Sequence, residues 1–199
     1  MLASTLALES LQLLREQGSD AAGAAGGEAA AQATVVKLGF SWEAVDVRKV
    51  EGGARAETTG RLATALTEAV SAPNCRNDRV LVQSFVPAVC ELRLFVVEGA
   101  IRGRYFARYE ESTDDGRFDG WVRRPRAEVA SEWFGGDAAA LAQAEAQAEG
   151  LVPLLGLVLR GVCAEPQPAL RFDFLLRRDG DGRGSAATLE ITEVRPFFG

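Results

Sequence analysis

The chain has 199 residues, of which 47% are hydrophobic and 25% charged, and a net charge of −6 at neutral pH. That length suffices for one good core or two small lobes, the composition is globular, and no apolar run approaches a membrane span. The acidic balance argues against nucleic acid as a partner, and the absence of histidine excludes every mechanism that needs an imidazole base.

Leu2, Leu6, Leu8, Leu11 and Leu14 are spaced for an amphipathic helix over residues 1–17. Glu9 and Arg15 interrupt it, unlike the unbroken apolar core of a signal peptide, so the protein is read as cytoplasmic. Residues 18–33 are rich in Ala and Gly and form a linker. Strands are predicted over 34–40 and 45–50, followed by a helix over 59–70 with Leu62, Leu66 and Val70 on one side and Pro73-Asn74 beyond its end. The nearly continuous apolar character of 79–86 predicts a strand in the middle of a sheet. Residues 91–97 and 100–109 form a hairpin turning at Glu98-Gly99, and 110–120 reads as a mobile surface loop. Asp137 is the expected N-cap of a helix running towards Leu159, with Pro153 as a kink site. Residues 171–176 and 189–196 form a terminal hairpin around the turn Asp179-Gly180-Asp181-Gly182. The class is α+β with a largely antiparallel sheet.

Three side-chain patterns carry chemistry. On an extended chain Arg171, Asp173 and Leu175 share one face, Phe172, Phe174 and Leu176 the other, and Glu193 shares a face with Ile191 and Arg195. If these strands pair, Asp173 and Glu193 come together, and like charges need something positive between them. A magnesium ion with a nucleotide is one solution; a ladder neutralised by Arg171 and Arg195, with no metal, is the other. Lys37 and Lys49 are the only lysines among many arginines, and an ammonium reaches phosphates as a compact point charge. Cys75, Cys90 and Cys163 are widely spaced and read as buried thiols, with neither a disulfide framework nor a zinc site.

In chain order the polar strand positions are Lys37, Gln83, Glu91, Arg93, Asp173 and Glu193. This order resembles the ATP-grasp superfamily, and within it the eukaryotic cell division cycle protein 123 family, whose members help assemble translation initiation factor two. Val36-Lys37-Leu38-Gly39-Phe40-Ser41 is similar to that family's lysine segment, and Glu91-Leu92-Arg93-Leu94-Phe95-Val96 to its glutamate-arginine strand. Glu193-Val194-Arg195-Pro196-Phe197 is similar to its last motif. The resemblance implies an α+β ATP-grasp fold over 34–199, with a first lobe over 34–86, a second over 87–199, largely antiparallel sheets and nucleotide between the lobes.

It further implies ATP and Mg2+ as cofactors. Lys37 would contact the α- and β-phosphates, and Gln83, Ser84, Phe85 and Val86 would form a hinge whose backbone meets adenine. Glu91 would take the ribose hydroxyls, Asp173 and Glu193 the magnesium, and Arg93 and Arg171 would face the phosphates or a second substrate as the catalytic pair. Arg195 stands where the family has a metal-ligating asparagine; a guanidinium has no lone pair to give, and would contact the γ-phosphate, replace one cation by its own charge, or abolish metal binding. The expected protein is a monomeric ATP-binding assembly factor. Its partner would be a protein such as a subunit of translation initiation factor two, with neither nucleic acid nor membrane involved. The alternatives are an ATP-dependent carboxylate-amine ligase, which can work by positioning and charge without a side-chain nucleophile, and a degenerate domain that binds a partner without nucleotide.

Overall fold

The computed structural model describes residues 33–38, 47–71, 80–111, 116–162, 169–177 and 189–196. The expected N-terminal helix, nearly all of the linker, the Pro73-Asn74 stop and the turn at 179–182 lie outside the described residues. The chain forms two compact units, the first of residues 1–85 with 110–120, the second of 86–109 with 121–199.

The first unit holds a three-stranded antiparallel sheet of β1 (Thr34–Leu38), β2 (Val47–Val50) and β3 (Val80–Ser84), in the order β2-β1-β3, with helix α1 (Arg55–Ser71). Val36 and Val50 meet Leu62, Ala65 and Leu66 of α1 in one apolar cluster, because the period-two alternation of the strands and the i, i+3, i+4 spacing of the helix each offer one apolar face. β3 flanks β1 rather than lying mid-sheet as expected. Its apolar run is continuous, yet Val80 and Val82 pack towards the cluster while Leu81 is exposed.

The second unit is built on a sheet of order β6-β5-β4-β7-β8, comprising β4 (Cys90–Val97), β5 (Ala100–Glu111), β6 (Phe118–Arg124), β7 (Ala169–Leu176) and β8 (Leu189–Pro196). The pairs β4–β5, β4–β7 and β7–β8 are antiparallel. The β4–β5 turn has Glu98 at φ 52° and Gly99 at φ 77°, the two positive angles that a two-residue turn matching strand twist requires. A short helix α2 (Arg126–Glu128) runs into a π-helical turn at Val129–Trp133, then comes α3 (Ala138–Val162). Asp137 caps α3, its Oδ1 accepting from the Ala140 amide at 2.8 Å, and the helix continues through Pro153.

α3 turns Leu141, Ala144, Ala148 and Val152 inward, where they join Leu92 and Leu94 of β4 and Phe172 and Phe174 of β7. Each such Leu or Phe side chain contributes about 1.5–3 kcal/mol on burial. This α+β architecture with antiparallel sheets is the predicted class.

The ends of the segment expected to be a mobile loop belong to strands, and residues 112–115 lie outside the described residues. Glu110 and Glu111 end β5 and Phe118 begins β6, while the Lys49 amide donates to the Gly116 carbonyl at 2.8 Å and Arg117 bridges Arg48. Acids and glycines over 110–120 suggested a loop, but aromatic Phe118 and Trp121 supply strand-forming side chains.

Candidate functional site

One face of the second unit's sheet is sealed by α3; the other carries charge. Along β7, Leu170, Phe172, Phe174 and Leu176 are buried in the core, and Arg171 and Asp173 alternate with them on the opposite face. Register then assembles a row: Arg93 of β4 lies opposite Tyr105 of β5 on one side and Asp173 of β7 on the other. Directly opposed residues in an antiparallel pair share a face, so these side chains converge.

The convergence is tight. Arg93 donates from Nε to Glu91 Oε1 at 2.5 Å, from Nη1 to the Tyr105 hydroxyl at 2.9 Å and from Nη2 to the Tyr109 hydroxyl at 2.6 Å. Its Nε is also 3.8 Å from Asp173 Oδ2. Arg171 grips Asp173 with a two-pronged fork, Nε to Oδ1 and Nη2 to Oδ2, both at 2.8 Å. Trp121 and Arg123 of β6 complete the edge, the Arg123 guanidinium lying 4.1 Å over the Tyr105 ring. Glu91 is 7% and Asp173 2% exposed, and buried carboxylates persist only when paired in this way.

The electrostatics follow from burial. Desolvation pushes the Glu91 carboxyl above the usual range, partly offset by its hydrogen bond to Arg93. Burial works against the Arg93 and Arg171 charges, yet their hydrogen bonds to Glu91 and Asp173 leave both held more firmly protonated than usual. Burial, then the Glu91 charge, raises the Tyr109 phenol. The Cys90 thiol is pushed up to about 12, chiefly by burial and then by Glu91, which makes it inert rather than nucleophilic.

Glu193 and Arg195, on β8, occupy the register positions opposite Asp173 and Arg171. The two acids expected to come together are thus paired strand positions. Ile191 stands opposite Phe174, because the register shifts between Asp173 and Phe174. Both Asp173 oxygens are engaged by Arg171, and among the described residues no three acidic or thiol side chains gather to hold a metal ion. A divalent cation at Asp173 would have to displace this fork, since it needs carboxylate lone pairs turned towards it; the Glu193 side chain lies outside the described ones.

In the first unit, Lys37 is half-buried on the central strand and alternates with Val36, which faces α1. Val35 lies opposite Lys49 and Gln83, so Lys37, Lys49 and Gln83 belong to the face away from α1. Lys49 Nζ sits 4.5 Å over the Phe85 ring and pairs with Glu51 at 2.6 Å. Ser84 ends β3 opposite Thr34, and the Phe85 amide donates to the Ala33 carbonyl at 2.8 Å, which removes one donor from the segment expected to read adenine. Val86 is the first residue of the second unit. The sequence-predicted residues therefore fall into two groups: Glu91, Arg93, Arg171 and Asp173 gathered on one sheet face, and Lys37 and Gln83 on a face of the other unit.

Tyr105, Tyr109, Trp121 and Arg123 escaped the sequence reading. A two-residue turn at Glu98-Gly99 with unbroken pairing would put Arg104 opposite Arg93; the bulge between Phe95 and Val96 brings Tyr105 there instead. Arg104 is delivered to α3, where its Nη1 meets Glu149 Oε1 at 2.5 Å and Glu145 Oε1 at 3.6 Å. Glu145, 5% exposed, also receives Arg126 Nε at 2.6 Å.

No family model and no curated protein matches this chain. Among solved structures, D-cycloserine synthetase DcsG is similar at 18% identity and a TM-score of 0.43, over 94% of this chain and 52% of that one. The chain thus spans about half the length of that protein, and a likeness this loose assigns no role to any residue. Among the described residues, no helix is long and apolar enough to cross a membrane.

Proposed function

We propose that the chain is an ATP-grasp protein that binds ATP on the polar sheet face of its second unit. The observation that carries this reading is the row of Glu91, Arg93, Asp173 and Arg171, two buried carboxylates beside two half-buried guanidiniums on strands whose other face is the core. Opposed charges at such density, with desolvated carboxylates, characterise functional sites more than stabilising ones, since a buried ion pair does little for stability. On this reading Glu91 receives the ribose hydroxyls at Oε2, while Arg93 fixes Oε1. Arg93, with three nitrogens committed to Glu91, Tyr105 and Tyr109, is a positioning residue rather than a catalytic one. Arg171 faces the phosphates. No step passes through a metal.

The finer proposal is an assembly role of the cell-division-cycle kind, in which nucleotide binding, not turnover, is the working event. It is supported by the motif likeness at Lys37 and Glu91, together with an Arg93 committed to positioning.

Thermal unfolding with and without ATP tests the nucleotide reading: a ligand at a hundredfold over its dissociation constant adds about 2.7 kcal/mol, and no shift in Tm would refute it.

A further inference from the structure

Trp121 of β6 is 43% exposed, the one exposed ring among the described aromatic residues. A single exposed apolar side chain is ordinary, but this one ends a stack. Ring centroids lie 5.5 Å apart from Phe95 of β4 to Tyr105 of β5 and 6.2 Å apart from Tyr105 to Trp121, both within the range of favourable aromatic pairs. Tyr105 is fixed in turn, because Arg93 holds its hydroxyl at 2.9 Å and the Arg123 guanidinium lies 4.1 Å over its ring. Arg123 and Arg93 stand 5.6 and 5.9 Å from the Trp121 centroid, near the ~6 Å outer reach of a cation–π contact, and leave much of the indole to solvent. The result is a flat ring, held in place and open.

What lies beside the ring decides what it takes. The sheet order β6-β5-β4-β7 sets Trp121 first, Glu91 of β4 two strands away, roughly 10 Å at sheet spacing, and Arg171 of β7 one strand further. Arg93 links the row, binding Glu91 from Nε at 2.5 Å while its guanidinium lies 5.9 Å from Trp121. Across the strands the chemistries run aromatic ring, carboxylate, guanidinium. Along a nucleotide the base, the ribose hydroxyls and the phosphates come in the same order, and each is the natural partner of the group beneath it. An aromatic ligand without hydroxyls would leave Glu91 unanswered, and a lone phosphate would leave the indole so. A single strand of nucleic acid is held by several stacking rings, whereas this face opens one to solvent among the described residues.

We infer that Trp121 is the stacking platform for the base of the nucleotide, which lies across the strands of the second unit with its base on β6, its ribose at β4 and its phosphates towards β7. The inference rests on the ATP reading of this face and adds the place of the base. It moves the base away from residues 83–86, where the Phe85 amide is already engaged by the Ala33 carbonyl.

Titration of the full chain with ATP, followed by tryptophan emission and by calorimetry, tests it, with Trp121→Phe and Trp121→Ala as comparisons. ATP is expected to quench the emission of the parent. Trp121→Phe keeps a ring but loses the indole, and is expected to bind ATP within about threefold of the parent without that quench. Trp121→Ala is expected to bind ATP about tenfold or more weakly, the loss of one base–aromatic stack. Parent affinity in Trp121→Ala, or a full quench that survives in Trp121→Phe, overturns the platform and leaves the ATP reading standing; a parent that binds no ATP overturns both. Should Trp121→Ala fail to fold, the quench in Trp121→Phe decides. A single-stranded oligoadenylate that the parent binds more tightly than ATP, with the excess lost in Trp121→Phe or Trp121→Ala, overturns the nucleotide in favour of nucleic acid.

Discussion

Glu91 shows how one residue carries two burdens. Its position on β4 puts it almost out of water, and Arg93 is the neighbour that makes the charged form tolerable. Burial nevertheless wins, and its carboxyl titrates above the ordinary value of 4.5. A group whose folded value is raised contributes stability in full below its unfolded value and loses it as pH climbs through the folded value. Urea unfolding across the acid range is therefore expected to show the parent losing stability as pH rises from 4.5 through the raised folded value. Glu91→Gln should flatten that fall, and an identical pH profile for the two proteins would contradict the assignment. Glu91, Arg93, Arg171 and Asp173 stood out in the sequence because charge in an apolar strand is conspicuous. The tyrosines were not, since a tyrosine in a strand is ordinary until a guanidinium is found against its hydroxyl.

Among the elements, the bulges decide most. A strand alternates faces strictly, so one extra residue moves every later side chain to the other side. The bulge in the β4–β5 pair gives Arg93 two tyrosines and gives α3 an arginine, and the shift in β7–β8 sets Glu193 opposite Asp173 and Ile191 opposite Phe174. The α3 cap and the Glu98-Gly99 turn, by contrast, were readable because each is a local arrangement of a few residues. The ends of the 110–120 segment were misread as loop, and beside the second of them stands Gly116. It sits at φ 67° with the Lys49 carbonyl oxygen where a Cβ would go. Gly116→Ala is expected to lower stability by at least the ~1–2 kcal/mol of a left-handed non-glycine residue, with the collision added, as measured by denaturant unfolding. A variant as stable as the parent would show that the Lys49–Gly116 contact does not hold this segment.

Across the whole molecule, two cores serve two units. Leu62 belongs to the cluster of α1 with β1 and β2, whereas Leu141, Phe172 and Phe174 belong to that of α3 with the five-stranded sheet. Leu62→Ala should cost about 2–5 kcal/mol, as cavity-forming substitutions do. Hydrogen exchange is expected to report the loss in α1 and β1–β3, with protection of β4 and β7 retained; equal loss in both would show one cooperative core instead of two.

By itself the sequence determined the class of fold, most of its strands and helices, and which charged residues sit among apolar ones, because periodicity and capping act over a few residues. Only the tertiary structure decided who faces whom. Arg171 closes on Asp173 with a fork, Arg93 serves Glu91 and two tyrosines, and Glu193 stands opposite Asp173. Those pairings depend on strand register, which bulges shift by one residue, and on burial, which a linear chain does not possess until its core has formed.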